Sequence, residues 1–482
     1  MMTVTPAMGG SGEDDYTASL QEMVSRLRKV PGRVSERAIR QLAVNNKLEV
    51  FEDQIAGGKR LSIGGLIILI DIDFKLPSGE VMDVKMSFAS TTNPTNDATS
   101  FRSKNLSSTI DALLLKTLKQ PRLDEFSRVL CFLSKGDQLS VAKAPDCFAL
   151  IDEVSNALFK IYQGKEDPLL PYGVPELNPG CNAGLGVWYW TKNDHFDPVK
   201  HYVLWSVRQG SENPAGYSTE WVKSVNEDGS SVEWNEPSRI ENSKAEFVLE
   251  LAPPIKVPLH LAQELHEQVD GEVTSEECMG RYSRKVYVRE NEGYSFEFMY
   301  ANLVPSEMIR ITEIPISHPK ELPRILSKLR QLAIISTLWE SVIEDSHRGE
   351  LEQQSIDARM QQEEISFADA IMEEETLDQA KQGPSRLAAS ISLVQIDSER
   401  PAISITVQTV GSVTILPNPD GLEINCSSFS DDCRVKIEKN LQILQNIPLV
   451  CSAMVHHSRL SEAVAGGSST QNIKSPNVGM HY

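Results

Sequence analysis

Asp71-Ile72-Asp73 is the pair of carboxylates in this chain whose spacing could do chemistry. In an alternating segment, residues two apart share one strand face, so both carboxylates could grip one hard cation. The solvated face of a hairpin needs such charges in any case, and Lys85 on the next strand is placed to offset one of them. His260 and His266 are six residues apart and fall on different faces of a helix, while His456-His457 could bind metal only adventitiously. The seven cysteines (131, 147, 181, 278, 426, 433 and 451) are scattered, odd in number and without CxxC spacing. They read as reduced, mostly buried thiols.

The motifs of nucleotide and ester chemistry fail one by one. Gly57-Gly58-Lys59 lacks the earlier glycine and the following hydroxyl of a phosphate-binding loop. Gly184-Leu185-Gly186 meets Tyr189 where a dinucleotide loop needs its third glycine. Neither GxSxG nor HExxH occurs, and no cysteine has a positioned histidine and acid. The expectation is therefore a protein without catalytic residues, cofactor or metal. A hydrolase or transferase with an unfamiliar site in the tryptophan-rich block is the enzymatic alternative.

A chain of 482 residues with 40% hydrophobic content can build two to four compact units. Its net charge is −20, and about half of it comes from Glu340 to Asp378, with thirteen acidic residues against Arg348 and Arg359. An acidic chain does not attract nucleic acid through its overall field. Arg26, Arg28, Lys29, Arg33, Arg37 and Arg40 form a local basic exception opposed only by Glu36. That cluster reads as a solvated or internally paired surface, as a dock for an acidic protein partner, or as a contact to DNA. The first residues lack an apolar core, so secretion is not expected. Leu66 to Ile70, the longest purely apolar run, is far too short to span a bilayer.

The elements follow from periodicity. Residues 1–14 read as disordered, and 15–60 as a helical region ended by Gly57 and Gly58. Within it Tyr16, Leu20, Met23, Leu27 and Val30 recur at spacings of four and three, a two-heptad seam flanked by Arg26, Arg28 and Lys29. Two heptads are not stable alone. The seam must pack either on a partner or on the chain's own sheet, and it is the candidate partner interface. A second helix begins after Ser35 as its cap. Residues 61–166 read as a hairpin with one apolar face (Ile68, Ile70, Ile72, Phe74, Leu76; Met82, Val84, Met86, Phe88), covered by helices near 107–119, 123–135 and 146–162.

Residues 180–345 read as a strand-rich block holding five of the six tryptophans up to Trp234, with one helix near 258–269, closing in a helix over 320–345. The first half of that closing helix is one-sided, through Leu322, Ile325, Leu326, Leu329 and Leu332. From Ile334 onward it is apolar nearly all round, as for a helix covered on both sides. Residues 346–384 read as an acidic mobile insertion, 385–462 as a C-terminal α+β unit, and 463–482 as a disordered tail. The fold class expected is α+β: N-terminal helices, several small units with antiparallel sheets covered by helices, and a long central helix.

The segment His318-Pro319-Lys320-Glu321-Leu322-Pro323-Arg324-Ile325-Leu326-Ser327-Lys328-Leu329-Arg330, followed by Ser336-Thr337-Leu338, resembles the most recognisable stretch of the Mediator subunit one family. The two prolines suit a strand that ends where a helix begins, since proline is tolerated in a first turn. Asp83-Val84-Lys85, Leu123-Asp124-Glu125-Phe126-Ser127, the Pro254-Ile255-Lys256-Val257-Pro258 run and Asn446-Ile447-Pro448 resemble further family features in the same order. The resemblance spans roughly 15–460. It implies a nuclear, non-enzymatic scaffold in the middle module of the Mediator coactivator complex, near subunits four and nine. Such a subunit links transcription activators to RNA polymerase II through protein contacts, without membrane or direct nucleic-acid binding. Animal members dock nuclear receptors through LxxLL helices in a C-terminal extension. These 482 residues contain no LxxLL, so that role is not carried over. A cytoplasmic trafficking scaffold is the other reading of the composition.

Overall fold

The computed structural model describes residues 32–89, 99–140, 146–162, 164, 166–192, 198–210, 215–226, 232–239, 244–265, 270–274, 281–289, 292–300, 308–343, 385–397, 400–408, 410–418, 421–426 and parts of 434–458. The seam from Tyr16 to Val30, the acidic stretch 346–384 and both chain ends lie outside them. Two compact units result. The first comprises Met1–Trp188, Tyr202–Ala252 and Glu313–Pro323; the second comprises Tyr189–His201, Pro253–Thr312 and Arg324–Tyr482.

In the first unit, helix α1 (Glu36–Asn45) starts at Ser35, whose hydroxyl accepts from the Ala38 amide at 3.3 Å. It buries Ile39 and Ala43. Strands β1 (Glu49–Ile55), β2 (Gly58–Gly64), β3 (Ile68–Lys75) and β4 (Val81–Phe88) then form an antiparallel meander in that order. This corrects the expected helical region over 15–60. Gly57, at φ 76°, does not end a helix but turns β1 into β2. The alternation of charged and apolar residues in Glu49–Ile55 is short and mostly exposed, so no strong periodicity announced the strand.

The alternation is realised as read along β3 but not at the turn end of the hairpin, where Leu76 is 51% and Met82 42% exposed; a bulge between Asp73 and Phe74 leaves Met82 out of the ladder. Ile68, Ile70, Ile72 and Phe74 face inward with Leu61, Ile63, Val84 and Met86. Helices α2 (Thr99–Leu118), α3 (Asp124–Leu139) and α4 (Cys147–Ile161) supply the cover, through Ile110, Leu114, Phe126, Leu130, Leu133 and Phe148 in one core. The β4 edge is closed by α2, where Asp111 accepts from the Met86 amide at 2.6 Å.

The same unit holds Trp205 and Trp221 in a second core. Small strands β5 (Val174–Leu177), β8 (Gly216–Tyr217), β9 (Val222–Val225), β10 (Val232–Trp234) and β11 (Ser238–Arg239) accompany the longer β6 (Leu185–Lys192), β7 (Val199–Gln209) and β12 (Ala245–Pro258). Trp205 and Trp221 stack edge-on against Phe247 at 5.7 and 6.5 Å. A six-stranded sheet has the order β13-β16-β12-β7-β6-β5, where β13 is Asp270–Thr274 and β16 Met308–Pro315.

The second unit contains helix α5 (Leu259–Leu265), the long helix α6 (Leu322–Ile343, from Arg324 on) and a separate six-stranded sheet. That sheet runs β14 (Arg281–Arg289), β15 (Glu292–Tyr300), β17 (Ser385–Asp397), β18 (Arg400–Val407), β19 (Gly411–Asn418), β20 (Gly421–Asn425). The α+β class holds. The domain boundaries read from sequence do not, because β14 and β15 were assigned to the 180–345 block yet pair with the strands after residue 385. The junction, β15 with β17, is parallel, from Tyr294 opposite Ser385 to Tyr300 opposite Ile391. In the C-terminal stretch expected over 385–462, Ile437 and Leu441 are buried and Val435 is 57% exposed.

Candidate functional site: the segment His318 to Leu338

The entry of this segment lies in the first unit. Strand β16 ends at Pro315, and Ile316 donates its amide to the Phe247 carbonyl at 3.1 Å. His318, extended at φ −150°, caps a 3-10 turn (Pro319–Glu321), its Nδ1 accepting from the Lys320 amide at 3.0 Å. Pro319 occupies the first turn position, where its missing N–H costs nothing. The Ser317 hydroxyl donates to Glu321, closing the turn. The His318 ring stands between two indoles, perpendicular to Trp221 at 5.2 Å and to Trp234 at 5.5 Å. Burial, then the Lys320 charge, hold its pKa below the ordinary value, against the Asn235 main-chain carbonyl and Glu236. Lys320 itself pairs with Glu236 at 3.0 Å. The histidine is a neutral latch between aromatic walls.

The helix proper lies in the second unit. Ile325, Leu326, Leu329, Leu332 and Ala333 are buried, and so is every residue from Leu332 to Trp339, with Leu338 at 0% exposure. The all-round burial expected of the C-terminal half is therefore present. Arg324 is exposed. Arg330 is not: it is 2% exposed, and its Nε donates to the Tyr189 carbonyl at 3.1 Å. Glu340 pairs with Lys192 at 2.8 Å and accepts from the Ser336 hydroxyl at 3.2 Å, while Ser336 accepts from the Lys256 amide at 3.3 Å. Beside them Tyr189 and His201 meet edge-on at 6.3 Å. Burial pushes the Tyr189 phenol up and, together with Lys192, the His201 imidazole down to about 4. Arginine suits such a place because its planar fork keeps its charge while bonding main-chain oxygen.

His318, Pro319, Ile325, Leu326, Leu329, Arg330 and Leu338 of this segment are thus packed inside, while Lys320 and Arg324 are exposed. Among the described residues no three His, Cys, Asp or Glu side chains form a cation-binding group. Asp71 and Asp73 are held by a residue that sequence reading did not single out. Arg60 on β2 bonds Asp73 at 2.7 Å and lies 3.7 Å from Asp71, and Ser62 donates to Asp71 at 2.6 Å. Lys85, expected to offset one of the pair, does add a favourable charge to Asp73, weaker than that of Arg60, while its ammonium lies 3.5 Å from Asp83. The guanidinium keeps the Asp73 carboxyl below its usual range. In the tryptophan block Trp190, Trp205 and Trp221 are buried. Cys147 and Cys451 are buried free thiols, while Cys131, Cys181 and Cys426 are partly exposed. Burial pushes the Cys147 thiol up to about 12, which makes it inert. The interface candidates Tyr16, Leu20, Met23, Arg26, Leu27, Arg28, Lys29 and Val30 are outside the described residues.

What these features define is an α+β protein whose distinctive motif organises its own interior. The family description of Mediator of RNA polymerase II transcription subunit 1 matches residues 21–344, and the chain belongs to that family. Mediator of RNA polymerase II transcription subunit 1 of Eremothecium gossypii is 40% identical over 79 residues, which are 16% of this chain and 18% of that relative. The matched stretch thus spans less than a fifth of the relative's length.

Proposed function

We propose that this chain is a structural and interaction subunit of the nuclear Mediator complex, joining activators to RNA polymerase II through protein contacts and performing no chemistry itself. The family match over 21–344 carries the reading. It is supported by the use of the signature residues as core, since a scaffold needs fixed surfaces more than a reactive cleft. The finer placement, in the middle module near subunits four and nine, comes from the family resemblance. Affinity purification of the tagged full chain with mass spectrometry tests both levels. Recovery of Mediator subunits is expected, with cross-links to subunits four and nine. Recovery of vesicle-coat or other cytoplasmic assemblies instead would overturn the reading.

A further inference from the structure

The β1–β4 meander has a second face, opposite the helices, and one end of it is apolar. Phe51 on β1 is 53% exposed, Leu69 on β3 40%, and Leu66 in the β2–β3 turn 70%. Register explains how they gather. Gly64 on β2 lies beside Leu69, and a Cβ on Gly64 would touch the Phe51 ring at 3.5 Å. A glycine thus floors a trough between an aromatic and an aliphatic wall two strand spacings apart, about 10 Å. The trough is rigid at its end. The buried carboxylate of Asp137 accepts from the amides of Leu66 at 2.8 Å, Ile67 at 2.8 Å and Ile68 at 3.1 Å, so Leu66 is presented on a fixed turn. Two acids rim the trough, Glu49 opposite Gly64 and Asp53 opposite Arg60. Arg60 bonds Asp73 and feels the Asp53 charge more weakly, so the rim stays acidic.

We infer that this trough is a docking surface for one amphipathic helix of another polypeptide, its apolar side laid between Phe51 and Leu69 and its Lys or Arg flank beside Glu49 and Asp53. The charge pattern selects a basic-flanked occupant. The geometry selects a helix: a sheet face is covered by a helix laid across it, as the opposite face already is. An extended peptide would instead add to β1, the end strand of the meander. A preorganised turn lowers the ordering cost of binding. The inference rests on the reading of the chain as a subunit of an assembly.

A photo-crosslinking phenylalanine analogue placed at Leu66, and separately at Leu69, in the full chain in cells tests it by mass spectrometry of the adducts. Both positions are expected to capture the same segment of another protein, helical in pattern and basic on one flank; the same analogue at Val435 should not capture it. Phe51→Asp with Leu69→Asp should cut the Leu66 adduct more than tenfold without shifting Tm, and Glu49→Lys with Asp53→Lys should cut it several-fold. Adducts to residues 16–30 of the same chain would overturn the inference by naming an internal occupant. Adducts to an extended segment, or none while the assembly still co-purifies, would overturn it as well. A helical, basic adduct from a protein outside Mediator would support the trough and count against the proposed function.

Discussion

Neither ring nitrogen of His201 has a hydrogen-bond partner among the described residues, and the side chain is 5% exposed. Burial is the larger cause and Lys192 the next in holding its pKa at about 4, with Glu340 opposing. In the unfolded chain the imidazole takes up its proton near pH 6.5. The native state therefore keeps this contribution in full above pH 6.5 and loses it as pH falls toward 4, by on the order of 3 kcal/mol. Denaturation midpoints measured across that window should fall for the native chain and fall less for His201→Phe. Equal slopes would show that burial does not control this group. Strand parity could have found this residue, since His201 shares the buried positions Val203, Trp205 and Val207. Asp137 could not have been found that way, because its partners lie about seventy residues earlier and no periodicity links a carboxylate to a distant turn.

The turn that Asp137 clamps is an element held by one side chain. Asp137→Ala would leave the amides of Ile67 and Ile68 buried without acceptors, at about 1–3 kcal/mol each. A loss of at least ~2 kcal/mol in urea denaturation is expected, and a change under ~0.5 kcal/mol would mean that water replaces the carboxylate. Helix α6 offers a three-way contrast. Leu329→Ala and Leu338→Ala each remove a side chain of 0% exposure and should cost about 2–5 kcal/mol, with Leu338→Ala at least as damaging, because surroundings packed on every side relax least. Arg324→Ala on the exposed side should stay within about 0.5 kcal/mol. A Leu338→Ala chain as stable as Arg324→Ala would mean that the second face is solvated. Helices with long periodic stripes and the β3–β4 hairpin were readable because their apolar positions repeat. Strand β1 was not, since an exposed edge strand carries little apolar signal. Arg330 was readable as a motif residue but not as a buried one, because its acceptor is a main-chain carbonyl on a distant strand.

At the scale of the whole molecule, the pairing of β15 with β17 decides what can stand alone. The family match ends at residue 344, but a chain cut there keeps β14 and β15 and loses the neighbour of β15. Such an edge invites pairing with other chains. Chains ending at 344 should therefore elute as aggregates in size-exclusion chromatography, whereas chains ending at 462 should not; a monodisperse 344-residue form would mean that β15 is covered another way. Sequence order misled the domain reading at this point. Periodicity locates strands, but which strands become neighbours depends on the whole chain, and a parallel partner lies far off by necessity. The same pairing sets a clock during synthesis. When Tyr300 leaves the ribosome, its partner strand has yet to be translated, and α6 with the acidic stretch must emerge first. At about 5–20 residues per second the edge of β15 stays open for several seconds or more. A nascent chain in that interval carries an unpaired strand edge, the feature that invites pairing with other chains.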